Sequence, residues 1–346
     1  MNGLLSYSGL TTKIRAMESH FLNDADFRNI TELESVPEAV NYLKKFHSYE
    51  PVFDSVDENK LHRASIERML RQSIYRDFTK IYQFSNISQR KFLDLYFKRY
   101  EVIIIKRCLN SLFDQRDLLI DLSAFENFFR KHSSLDITAM AAASTLPEFV
   151  DAMKGTDYYG TFSKLLEMEH PTLFDYEMAL DLYYFRDIWR MKDKLYKGQD
   201  LKELTKAYGS KFEMLNLQWI YRSKKYYHMS SADIYALLIP VKYRITNQQI
   251  TAMVEAESIS ALESLIDQCY YARQYKEFSP GNLESVYADI MRHILSTASR
   301  NNPYSVITLY SYLHHKEHEV DRLIIALECV RYRIAPDKAM NYIRKT

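Results

Sequence analysis

His314, Glu317 and His318 are the residues whose types and spacing come nearest to chemistry in this chain. The string from His314 to His318 reads H-x-x-E-H, the pattern of the inverted zinc peptidases. On a helix the two histidines lie one turn apart and can share a zinc ion, with Glu317 placed to act as general base on a metal-bound water. Such a site needs a third protein ligand from a later element. After His318 the chain offers Glu319, Asp321, Glu328 and Asp337. The first two sit on the same helix, Glu328 is about two and a half turns further along it, and Asp337 stands at its far end. None folds back easily, so the expectation is a polar, partner-facing or solvated helix surface, with no metal and no catalytic residue.

Other reactive patterns fail sooner. A nucleotide cradle needs glycines that let backbone approach phosphate, and neither GxGxxG nor GxxxxGK[ST] occurs. ATP hydrolysis by this chain is thereby excluded, and no cofactor is expected. Lys98, Arg99, Lys106 and Arg107 interleave with Tyr96, Phe97 and Tyr100, but helical spacing scatters these charges around the helix instead of lining them up for a phosphate backbone. With 46 basic against 45 acidic residues the net charge is +1, so no global field favours nucleic acid. Cys108, Cys269 and Cys329 are unpaired in spacing and sit in apolar helical contexts, which predicts reduced core thiols.

The elements that must position these side chains are helical. Only 7 glycines and 8 prolines occur in 346 residues, so turns and strand breaks are few. Leu10, Ile14, Met17 and Phe21 share a helix face, as do Val102, Ile105, Leu109 and Leu112. The chain exceeds what one core usually serves, which points to two or three packed units. Self-similarity sets the number at three. Ser35 to Lys44 and Thr145 to Lys154 match at an offset of 110 residues, each with a capping hydroxyl, a proline in the first turn and a glutamate (Glu38, Glu148) at the third helical position. Ile137 to Met140 repeats as Ile250 to Met253, which registers a third copy, where Ser258 is followed by Ala261 in place of the glutamate. Each copy ends in a long helix, expected over Asp94–Phe113, Glu213–Tyr227 and Tyr310–Arg333. The polar stretch Asp114 to Asp121 and the Pro240 to Asn247 stretch divide the chain into units 1–121, 122–242 and 243–346. Ser48 to Asn59 and Phe278 to Asn282, with Pro51 and Pro280, read as loops.

The N-terminus has no basic region or long apolar run, so no signal peptide is read there. The longest apolar stretch, Ile234 to Val241, falls short of the roughly 18 residues of a membrane span. Membrane association, if any, would run through a protein partner.

Three stretches resemble one family. Lys13 to Glu18 with Leu22 is similar to its opening helix, continued by Phe27 to Leu43; Asn216, Leu217, Trp219, Arg222 and Lys224 resemble its N-L-x-x-x-x-R-x-K helix; Lys316 to Glu319 with Leu323, Glu328 and Cys329 resemble its K-E-x-E-x-x-x-I helix. The family is that of the C subunits of the bacterial and archaeal V-type ATPases, equivalent to the d subunit of the eukaryotic enzymes. A departure stands at Asp321 and Arg322, where the family more often carries Arg-Asn. The resemblance implies an all-α fold of three related helical bundles in a pseudo-threefold funnel. It implies a non-catalytic, cytoplasmic central-stalk protein, seated on the membrane rotor ring of proteolipid subunits and receiving the central shaft subunits, in an enzyme that transports protons or sodium ions. Arg222 and Glu319 are then expected to brace the seams between bundles or to face a partner. The alternatives are a free-standing helical adaptor, whose repeats would run near 35 to 45 residues, and the H-x-x-E-H zinc peptidase.

Overall fold

With so few glycines, little interrupts a helix once it has started, and the computed structural model, which describes residues 3–54, 56–57, 61–115 and 123–345, contains helices and no strand among those residues. The first six are α1 (Gly3–Glu18), α2 (Asp24–Thr31), α3 (Val36–Leu43), α4 (Glu50–Phe53), α5 (Arg63–Phe84) and α6 (Ile87–Asp114). The next six are α7 (Ser123–His132), α8 (Ile137–Ala142), α9 (Leu146–Asp151), α10 (Tyr159–Leu166), α11 (Leu173–Leu195) and α12 (Gly198–Lys225). Then come α13 (Ser231–Leu237), α14 (Asn247–Val254), α15 (Ile259–Asp267), α16 (Tyr270–Gln274), α17 (Leu283–Asn301) and α18 (Val306–Arg331), with α19 (Pro336–Lys345) at the end. In each series four shorter helices precede two long ones, and the sixth helix has 28, 28 and 26 residues in turn.

Several helix limits differ from the sequence reading. The three long helices begin earlier than expected, because no proline stands in residues 87–93, 198–212 or 306–309 to delay them. Counted by six helices, the third series opens at Ser231, ahead of Pro240. Of the polar stretch Asp114 to Asp121, residues 116–121 lie outside the described residues. The stretches around Pro51 and Pro280 are not plain loops: Pro51 sits in the first turn of α4 and Pro280 opens a 3-10 turn, positions where a missing N–H costs nothing.

The helix starts follow the expected chemistry with one correction. Ser35 Oγ accepts the Glu38 N–H and Thr145 Oγ1 accepts the Glu148 N–H, each at 3.4 Å. The glutamates do not close a reciprocal box on the capping residue; they accept from the N–H one residue earlier, Glu34 at 3.2 Å and Ser144 at 2.9 Å. Ser258 caps the Ala261 N–H at 3.1 Å with no carboxylate to help. Ser35→Ala and Thr145→Ala each lower stability by about 0.5–2 kcal/mol in denaturant unfolding, whereas equal midpoints for wild type and both variants would show that the hydroxyls contribute nothing.

The chain forms two compact units, one of Met1–Gln89 with Arg292–Thr346 and one of Arg90–Met291. In the first, α18 lies along α1, α2, α3, α5 and α19, over a core that includes Ile14, Phe27, Leu70, Phe78, Leu313 and Leu323. In the second, α12 packs on α11, α13 and α15, and α6 meets α7 through Phe97 against Phe128 and Phe129 at 5.2 Å. The three cysteines are free and buried, and burial pushes the Cys108 thiol up to about 11, as expected of inert core thiols.

Candidate functional site

The H-x-x-E-H residues lie on α18. His318 Nε2 is 3.3 Å from Arg292 Nη2; a guanidinium only donates, so Nε2 accepts, and the lone pair a metal would use is taken. Burial and then Arg292 pull His315 and His318 down to about 4. The four later carboxylates are engaged elsewhere: Asp321 is 3.6 Å from Arg71, Glu328 is 3.3 Å from Arg63 and from Arg331, and Asp337 is 2.9 Å from Arg28. Glu319, the fourth, is held by Leu22, Tyr49 and Lys316. Among the described residues no three His, Cys, Asp or Glu side chains stand together as a metal would require.

What α18 carries instead is a buried ionic cluster. Glu319 accepts from the Leu22 N–H at 2.7 Å, from the Tyr49 hydroxyl at 2.5 Å and from Lys316 Nζ at 3.1 Å. Lys316 is fully buried, donates to Tyr49 Oη at 3.0 Å, lies 4.2 Å over the Tyr49 ring and is 4.0 Å from Asp77. Tyr312 donates to Asp77 at 2.7 Å. The cation therefore faces two carboxylates and the Tyr49 phenol, so its removal from water is compensated by several partners. Arg222, the other residue singled out from sequence, is half-exposed and donates to Glu284 at 2.7 Å, both in the second unit. Arg222 thus belongs to the second unit and Glu319 to the first.

The sequence reading missed that Glu319 has two counterparts. Glu101, midway along α6, accepts from the Tyr158 hydroxyl at 2.6 Å and from Ser133. Glu213, midway along α12, accepts from the Tyr271 hydroxyl at 2.7 Å and from the N–H groups of Tyr243, Arg244 and Ile245 at 3.0, 2.7 and 2.9 Å. Burial raises both carboxyl pKa values despite these donors. Gly209 prepares the second site: a Cβ there would stand 2.6 Å from the Tyr243 ring, so only glycine lets that segment lie close to α12 one turn before Glu213. In all three clasps the tyrosine lies at the start of the fourth helix of a series, buried, while the glutamate lies on the sixth helix of the preceding one; for α18 the series is the first, at the other end of the chain. The glutamates are spaced by 112 and 106 residues and the tyrosines by 109 and 113, a recurrence that a search for polar residues at the repeat period would have found.

Nothing in these clasps is poised to react; they fix long helices to short ones. One surface stands out by its exposure. Leu5, Phe84 and Ile87 are 78%, 61% and 80% exposed, and the start of α1 is tied to the α5–α6 turn by Asn86 on the Ser6 hydroxyl and by Gln89 on the Ser6 carbonyl, at 3.1 and 2.8 Å. Large side chains displayed on a tied, rigid turn are typical of a contact face. No helix among the described residues is long and apolar enough to cross a membrane.

Residues 10–342 match the model of the ATP synthase (C/AC39) subunit family. Among similar proteins, the C subunit of the A-type ATP synthase of Methanothermobacter thermautotrophicus is 24% identical over 332 residues, which cover 92% of this chain and 83% of that protein. The protein of the same name from Methanosarcina mazei is 22% identical, covering 93% and 88%, and that from Pyrococcus abyssi 23% identical, covering 97% and 90%.

Proposed function

Because the chain belongs to the ATP synthase (C/AC39) subunit family, a structural and not a catalytic part of a rotary A/V-type ATPase, we propose that it is the central-stalk element that couples the rotating shaft to the membrane rotor ring. The observation that carries this reading is the thrice-repeated buried clasp. A part that transmits torque must resist deformation, and a Tyr–Glu pair buried between a long helix and a short one resists sliding because any shift strands polar groups away from water. On this reading Glu319 braces the protein from within, and the Arg222–Glu284 pair, at the surface, is available to a seam or a partner. The partners are the central shaft subunits and the proteolipid ring, and the coupled ion is a proton or sodium. The helix order recurs over six helices, not two, which gives the free-standing solenoid adaptor no support.

The exposed Leu5, Phe84 and Ile87 face is proposed to seat a partner subunit. Ile87→Asp combined with Leu5→Asp leaves the isolated chain folded, because both side chains are largely exposed, but lowers its recovery with the purified membrane complex at least tenfold. An unchanged yield of complex would remove this face from the assembly.

A further inference from the structure

A pocket of about 420 Å³ opens on the first unit, where Arg292, Arg322 and Arg344 meet Asp24 and Glu319 beside His315 and His318. Three guanidinium groups thus face two carboxylates. Glu319 is already occupied by Lys316, Tyr49 and the Leu22 N–H. Asp24 alone receives both Arg322, at 2.9 Å, and Arg344, at 3.4 Å. Arg322 lies 4.1 Å over the Phe27 ring, which fixes its plane, and its Nε, buried without a hydrogen-bond partner, shows that Asp24 leaves donor capacity unused. Arg292, 3.3 Å from His318 Nε2, lines the same pocket.

We propose that this pocket binds a small phosphate-type oxyanion, with Arg322 and Arg344 as principal donors, Arg292 as a third, and His315 and His318 in the wall. A tetrahedral anion offers three or more acceptor oxygens to several forked donors, where a single carboxylate offers two. The volume exceeds that of a bare phosphate, so a phosphate group carried on a larger molecule also fits. The two imidazoles are pulled down to about 4 chiefly by burial and secondly by Arg292, so near neutral pH they stand in the wall as uncharged rings. The site is independent of the proposed coupling role and requires no catalysis.

The test is a titration of the whole chain at constant ionic strength with inorganic phosphate and, separately, with ADP, read by the imidazole resonances. Saturable shifts are expected for His315 and His318, which line the pocket, but not for His62, which caps α5 and is no part of its wall. Arg344→Gln, at a side chain 59% exposed, should keep the fold and weaken binding at least tenfold; Arg322→Gln should weaken it further. Equal affinity for the two ligands supports free phosphate as the source, and tighter ADP binding supports a nucleotide. Absence of saturable shifts with both, or affinities unchanged in both variants, overturns the proposal.

Discussion

Glu213→Ala lowers the unfolding free energy by about 3–5 kcal/mol. The carboxylate accepts from the Tyr243, Arg244 and Ile245 N–H groups and from the Tyr271 hydroxyl, all within 3.0 Å. Truncation leaves four donors without their acceptor, two of them buried (Ile245 N–H and the Tyr271 hydroxyl) and two part-buried, each buried one costing about 1–3 kcal/mol if unsatisfied. Part of that is offset because a carboxylate no longer has to be desolvated, which is why the sum is not simply additive. Tyr271→Phe removes one bond and costs about 1–2 kcal/mol, and Glu213→Gln falls between, since its amide group points a donor at donors. Denaturant unfolding of the three variants ranks them; a Glu213→Ala loss below about 1 kcal/mol would show that the clasp does not hold α12.

Acidification from pH 7 to pH 4 removes stability through His315 and His318, by roughly 2–3 kcal/mol for each ring. Their pKa values stand at about 4 in the folded chain against an ordinary 6.5. The unfolded chain therefore takes up these protons first. The contribution is fully present above pH 6.5 and is lost as the pH falls toward 4. Glu101 and Glu213 act in the opposite sense: burial raises their pKa values above the ordinary 4.5, so the folded chain holds those protons more tightly and gains as the pH falls through that window. The histidine part is isolated by comparison. A double His315→Gln, His318→Gln variant should lose markedly less stability than wild type between pH 7 and 4, and parallel curves would show that the rings are not held neutral by the fold.

Much of the fold was legible in the sequence because its causes are local. Hydroxyls at Ser35, Thr145 and Ser258 name helix starts, and glycine scarcity names long helices. The capping glutamates were placed correctly in sequence but bond one residue upstream, a difference of backbone geometry that residue types do not encode. The clasps were harder. Glu319 could be singled out on its helix, but its donors, Tyr49 and the Leu22 N–H, lie 270 and 297 residues away, and nothing local marks that pairing. The H-x-x-E-H string misleads for the mirror-image reason: its spacing is local, while the Arg292 that occupies His318 comes from the preceding helix.

The central claim is coupling, and its most direct measurement is ATP-driven ion uptake in membranes from cells lacking this chain, with ATP hydrolysis assayed in the soluble fraction. The account predicts that uptake falls to background while hydrolysis persists in the released head, because shaft and ring no longer share a connecting part. Restoring the chain should restore uptake. Coupled uptake at normal rates in its absence would contradict the account.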